Sequence, residues 1–263
     1  MTRYFDGPPI VVGGVGGSGT RVVAAILREA GIFIGAERND ANDNMLMARN
    51  LPLIRDAAMA VGPRPAPSGD DFPFDFGVEV DEMVASMLEG FEREMHAAYL
   101  AQDALRAGWG WKNPNNLHIL APLARRFGAF HYVQVVRHGL DMAFSSNQNQ
   151  LRLWGWRYLI DQEKLGPAEA SFRFWVRANR QGVRDAKRLG LKLTVLNFDR
   201  LCTDPKGVID ALAKEIGFQA PPSPAMYALV ERPESIGRFR REDVSFVTEE
   251  DRAALREFGF EEP

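Results

Sequence analysis

From Ile10 the chain runs through a β-branched segment into Gly13-Gly14-Val15-Gly16-Gly17-Ser18-Gly19, then Thr20-Arg21 and the apolar stretch Val22 to Leu27. Glycines let successive amide N–H groups converge without Cβ obstruction, and a helix starting at Thr20 adds the partial positive charge of its N-terminus. That is a backbone cradle for a phosphate-like anion, to which Ser18, Thr20 and Arg21 can add side-chain donors. A second cation stands at Arg137, which closes the apolar run Val133 to Val136. At the C-terminal end of a strand it faces the ligand edge of an open parallel sheet, and its planar fork suits a phosphate dianion.

Two familiar nucleotide motifs fit the loop incompletely. Gly14 to Gly19 has the glycine spacing of a Walker A loop, but Thr20 and Arg21 stand where that motif has Lys and Ser/Thr. Gly14-Val15-Gly16-Gly17-Ser18-Gly19 also matches GxGxxG, yet no acidic residue closes a second strand about 20 residues later.

Taken together, Ser18-Gly19-Thr20 and Arg137 followed eight residues later by Ser145 resemble the two nucleotide motifs of the sulfotransferases that use 3'-phosphoadenosine 5'-phosphosulfate (PAPS). Three weaker likenesses follow the same order. Trp111-Lys112-Asn113-Pro114 is similar to the Lys-x-Pro segment of bacterial and tyrosylprotein-type members. Leu196 to Leu201 before Asp204-Pro205 is similar to their Tyr-Glu-Asp-Leu strand end, and Ile236-Gly237-Arg238-Phe239-Arg240 to their Gly-Arg-Trp-Arg segment.

The resemblance implies a sulfonyl transfer from PAPS to an acceptor hydroxyl or amine, by in-line displacement and without a metal. In that scheme Gly16, Gly17, Ser18, Gly19, Thr20 and Arg21 hold the 5'-phosphosulfate. Arg137 and Ser145, helped by Arg238 or Arg240, hold the 3'-phosphate. Gly17 replaces the Lys or Arg that many members carry before Ser-Gly-Thr, so the cation on the sulfonyl group is Arg21 or Lys112, with Lys112 preferred. A general base is expected in the polar stretch Gly35 to Asn44, with Glu37 first, then Asp43 and Asp40, and His118 more remote. A P-loop small-molecule kinase and a nucleotide-binding module without catalysis are the alternatives. The acceptor, a small molecule or carbohydrate, is not readable from the loops at 35–77 and 147–166.

These residues need elements to hold them. Four short apolar runs predict buried strands: Ile10 to Gly13, Gly108 to Lys112, Phe130 to Val136 and Leu191 to Phe198. Helical patterns cover Thr20 to Ala30, Val80 to Met95, Asn116 to Phe127, Leu140 to Ser146 and Pro167 to Leu189. Asp204-Pro205 starts and Gly217 stops another. Strands alternating with helices predict an α/β fold, a central parallel sheet flanked by helices in a single domain over 1–263, and the resemblance implies that it is like that of the P-loop nucleoside triphosphate hydrolases. The Pro- and Gly-rich stretch from Pro63 to Gly77 reads as an irregular loop.

Composition narrows the setting. A net charge of -3 offers no general field for nucleic acid or acidic lipid, so anion binding must be local. One cysteine, Cys202, excludes an internal disulfide and a cysteine-rich zinc site, and suits a cytoplasmic location. The four histidines lack metal-ligand spacing, and neither a secretion signal nor a membrane span is expected.

Overall fold

The computed structural model describes residues 3–61, 78–102, 107–159 and 162–263. Five strands make up its sheet: β1 (Ile10–Gly13), β2 (Ile32–Phe33), β3 (Gly108–Lys112), β4 (His131–Val136) and β5 (Lys192–Asn197). They lie in the order β2-β3-β1-β4-β5, all parallel, so every strand ends on the same edge. The anion loop leaves that edge from the middle of the sheet. Lys112 ends its neighbour on one side, and Arg137 follows its neighbour on the other.

Alternation along the strands sends side chains to two apolar layers. Val12, Val133 and Val135 pack with Val23, Ile26 and Leu27 of α1 (Thr20–Glu29). Val11, Tyr132 and Val136 join the opposite layer, which contains buried residues of α2 (Met45–Val61), α3 (Val78–Leu100) and α4 (Leu120–Phe127). Covered on both faces, the inner strands read as continuous apolar runs. The result is an α/β fold with a parallel sheet flanked by helices.

The four expected strands form with small boundary changes. Phe198 is not the end of β5 but the first residue of a helix, because the Asn197 side chain accepts the Arg200 N–H at 2.9 Å and caps it. β2 was absent from the expectation, since two residues are too few to show a period. The helix expected over Asn116 to Phe127 is divided into a 3-10 turn, Pro114–His118, and α4. The one expected over Leu140 to Ser146 is the single turn α5 (Gly139–Ala143), whose Gly139 has no room for a Cβ: it would lie 2.6 Å from Trp175.

A further helix, α6 (Asn149–Tyr158), occupies much of the segment read as a variable loop. Leu151, Trp154 and Tyr158 form its buried stripe, interrupted in sequence by Arg152, Gly155 and Arg157. It packs on α7 (Pro167–Arg188). After β5 come α8 (Phe198–Thr203) and α9 (Pro205–Ile216). The second begins as expected, with Asp204 Oδ1 accepting the Gly207 N–H at 2.9 Å, and stops at left-handed Gly217. The expected loop from Pro63 to Gly77 lies outside the described residues. No described helix is long and apolar enough to cross a membrane.

Candidate active site

A cavity of about 960 Å³ runs along the carboxyl edge of the sheet, and the anion loop forms part of its wall. The loop cannot be built from other residues. Gly14 has φ 151°, and a Cβ there would lie 2.3 Å from the Val135 carbonyl oxygen; at Gly19, φ 92°, it would lie 2.1 Å from the Phe198 ring. Gly19 is also the N-cap of α1 and supplies no side-chain cap. Among the described residues the amides of Gly17, Gly19, Thr20 and Arg21 make no hydrogen bond, and buried Ser18 Oγ has no partner. Unsatisfied donors converging at a helix N-terminus are a site for an anion.

Lys112 points from the end of β3 to Asp43. Its Nζ donates to Asp43 Oδ1 at 2.6 Å and to the Ala41 carbonyl at 2.9 Å. Burial pushes the ammonium below the ordinary lysine range, and Asp43 opposes that shift. Both residues border the cavity. A cation and a carboxylate thus meet in the wall of the cavity that the anion loop also borders.

Arg137 borders the cavity on the other side of the loop, its guanidinium carbon 5.8 Å from the centre of the Phe198 ring. Nη2 donates to Ser235 Oγ at 2.7 Å, while buried Nε has no partner. Trp175 Nε1 donates to the Arg137 carbonyl at 3.0 Å and fixes the strand end. Asp141 holds the C-terminal segment against this region by accepting the Gly237 N–H at 2.7 Å and the Phe239 N–H at 3.3 Å.

The candidates are therefore not all gathered at one place. Gly16, Gly17, Gly19, Thr20, Arg21, Lys112, Asp43 and Arg137 line the cavity, with Ser18 buried beneath the loop. Glu37, ranked first as base, does not: it is exposed and pairs with Arg49 at 2.5 Å. Asp40 is exposed and outside the cavity as well. His118 is enclosed, its Nδ1 2.8 Å from the Tyr158 hydroxyl, and burial holds its imidazole well below its ordinary pKa. Ser145 Oγ accepts the Asn147 N–H at 3.2 Å and is not part of the cavity wall. Arg238 reaches back to the carbonyls of Phe144 and Ser235, near Arg137, whereas exposed Arg240 turns away to Glu261 at 2.5 Å.

Three wall residues had no signal in the sequence. Gln150 of α6 accepts the Gly16 N–H at 2.8 Å, so that loop amide is already occupied. Asn115 Oδ1 accepts from Trp154 Nε1 at 2.8 Å and from Gln150 Nε2 at 3.3 Å, tying α6 to the segment after Lys112. Arg232 adds a cation at the Arg137 end. Among the described residues no group of three or more His, Cys, Asp or Glu is placed to hold a metal ion.

Fold and site together define an α/β protein with a glycine loop of unsatisfied amides at the carboxyl edge of a parallel sheet. The chain belongs to the sulfotransferase family, whose sequence profile it matches over residues 8–222. In fold it is similar to the sulfotransferase domain of the Synechococcus PCC 7002 olefin synthase (TM-score 0.54, 14% identity) and to that from the curacin biosynthetic pathway (0.57, 12%), each match covering 100% of both chains. It is also similar to a sulfotransferase from Alicyclobacillus acidocaldarius (0.53, 13%), with 98% of each chain covered. No curated protein matches it in sequence.

Proposed function

We propose that this chain is an enzyme that moves a sulfonyl group from PAPS to a hydroxyl or amine of a small-molecule or carbohydrate acceptor. The observation that carries the reading is the placement of the Lys112–Asp43 pair in the same cavity as the unsatisfied loop amides, with Arg137 on the loop's other flank. The residues fit the donor: one set of donors matches a 5'-phosphosulfate, and a separate guanidinium with an unpartnered Nε matches a 3'-phosphate.

PAPS supplies an activated sulfonyl group on a good leaving group. Gly17, Gly19, Thr20 and Arg21 position the phosphosulfate by main-chain donation and orient it for in-line attack. Lys112 stabilises the negative charge that grows on the bridging oxygen as the bond to the nucleotide phosphate breaks. Asp43 is the base placed to take the acceptor's proton, a role for which exposed Glu37 is poorly placed. Arg137, with Arg238 beside it, selects nucleotides carrying a 3'-phosphate.

Calorimetric titration with 3'-phosphoadenosine 5'-phosphate (PAP) against ADP tests this reading. PAP is expected to bind the more tightly, and Arg137→Ala to erase the difference, a loss of about tenfold to a hundredfold for hydrogen bonds to a charged group. Equal affinity for PAP and ADP in the wild-type protein would sink the proposal.

A further inference from the structure

The residue after Lys112 has a donor that nothing in the fold uses. Asn113 is 3% exposed and borders the cavity. Its own N–H donates to the Val12 carbonyl at 3.1 Å, which carries the β1–β3 ladder one step further and sets Asn113 beside the point where the anion loop leaves the sheet. Its side-chain oxygen caps the 3-10 turn, accepting the Asn115 N–H and Asn115 Nδ2, both at 3.0 Å.

A main-chain N–H can only donate, so the atom facing Asn115 is Oδ1 and the amide cannot be flipped. Nδ2 is then turned away from the cap, and among the described residues it has no partner. The backbone at Asn113 is extended, φ −152° and ψ 130°, so consecutive side chains leave on opposite sides. Lys112 goes to Asp43, and Asn113 stays on the other side of the β3 end. Asn113 borders the cavity, so this oriented amide, which the fold leaves unused, can donate to a ligand without giving up an internal hydrogen bond.

We infer that Asn113 is a further catalytic residue, whose carboxamide N–H₂ donates to an oxygen of the sulfonyl group in transfer. This rests on the PAPS reading above. In the step it serves, the acceptor oxygen forms a bond to sulfur while the bond from sulfur to the nucleotide's phosphate oxygen breaks. The electron pair leaves on that phosphate, giving PAP, and the acceptor's proton passes to Asp43. Lys112 covers the leaving oxygen from one side, and Asn113 holds the sulfonyl oxygens from the other.

Asn113→Ser and Asn113→Asp both keep the N-cap oxygen and remove the N–H₂. The test is the affinity of the full chain for PAPS relative to PAP, measured by calorimetry without acceptor, together with the thermal midpoint. PAP lacks the sulfonyl group, so its affinity and the midpoint should stay at wild-type values in the serine variant. The preference for PAPS over PAP should fall about tenfold there, and further in the aspartate variant, where like charges meet. An unchanged preference in both variants overturns the inference, as does an equal loss for PAP and PAPS, which marks a purely structural role. Failure of the underlying reading shows separately, as a wild-type protein that does not distinguish PAP from ADP.

Discussion

Lys112 Nζ and Asp43 Oδ1 are 2.6 Å apart, one at the end of β3 and the other in the connection between β2 and α2, and both open onto the cavity. In the proposed reaction the pair divides the chemistry into a cation for the leaving oxygen and a carboxylate for the incoming one. Lys112→Ala should lower turnover about 10²- to 10³-fold with PAP affinity nearly unchanged. Asp43→Asn should lower turnover by a similar order through loss of the base. Steady-state kinetics beside PAP titration separate the two parameters. Retained turnover in Lys112→Ala would assign the cation to Arg21.

The same lysine sets a pH limit. Its pKa is lowered by burial, so the charged form is lost at a lower pH than for an ordinary lysine. In the proposed mechanism the cation is the working form, so turnover should fall as pH rises through that lowered value. Lys112→Arg should remove this alkaline limb from the kcat profile, since a guanidinium stays charged. A limb that survives the substitution would have another origin.

Asp199 lies beside Arg137, and burial raises its pKa to about 6 while Arg137 opposes the rise. At pH 7.5 it is ionised, and its negative charge disfavours a phosphate at Arg137. Asp199→Asn should therefore bind PAP more tightly than wild type at pH 7.5. The gap should close below pH 6, where the wild-type carboxyl is protonated and neutral like the amide. Titrations at the two pH values check the sign, and a gap that widens on acidification would contradict it.

Gly19 combines a left-handed backbone with the Phe198 ring at its α-carbon. Gly19→Ala should cost about 1–2 kcal/mol for the backbone alone, before the clash. Phe198→Ala on top should recover only the clash. Denaturant unfolding of the single and double variants gives both terms, and a Gly19→Ala protein as stable as wild type would show that the loop adopts another path.

The glycine loop, the four longer strands, the α9 cap and Arg137 at the sheet edge were open to reading because each is a local pattern: glycines in a row, an apolar run, a cap and its proline. What the chain brings together from a distance was not open to such reading. Asp43 rather than Glu37 meets Lys112, Gln150 occupies the Gly16 amide across 134 positions, and Asp141 draws in the segment that carries Arg238 but leaves Arg240 with Glu261. Acidic residues in one polar loop have the same local propensity, so only the packing of β2, α2 and the β3 end selects which carboxylate enters the cavity and which remains in water. The sequence by itself determined that a glycine-rich loop would lead from a strand into α1; the tertiary structure decided which side chains surround it, because hydrogen bonds between remote residues exist only once the sheet has set their distances.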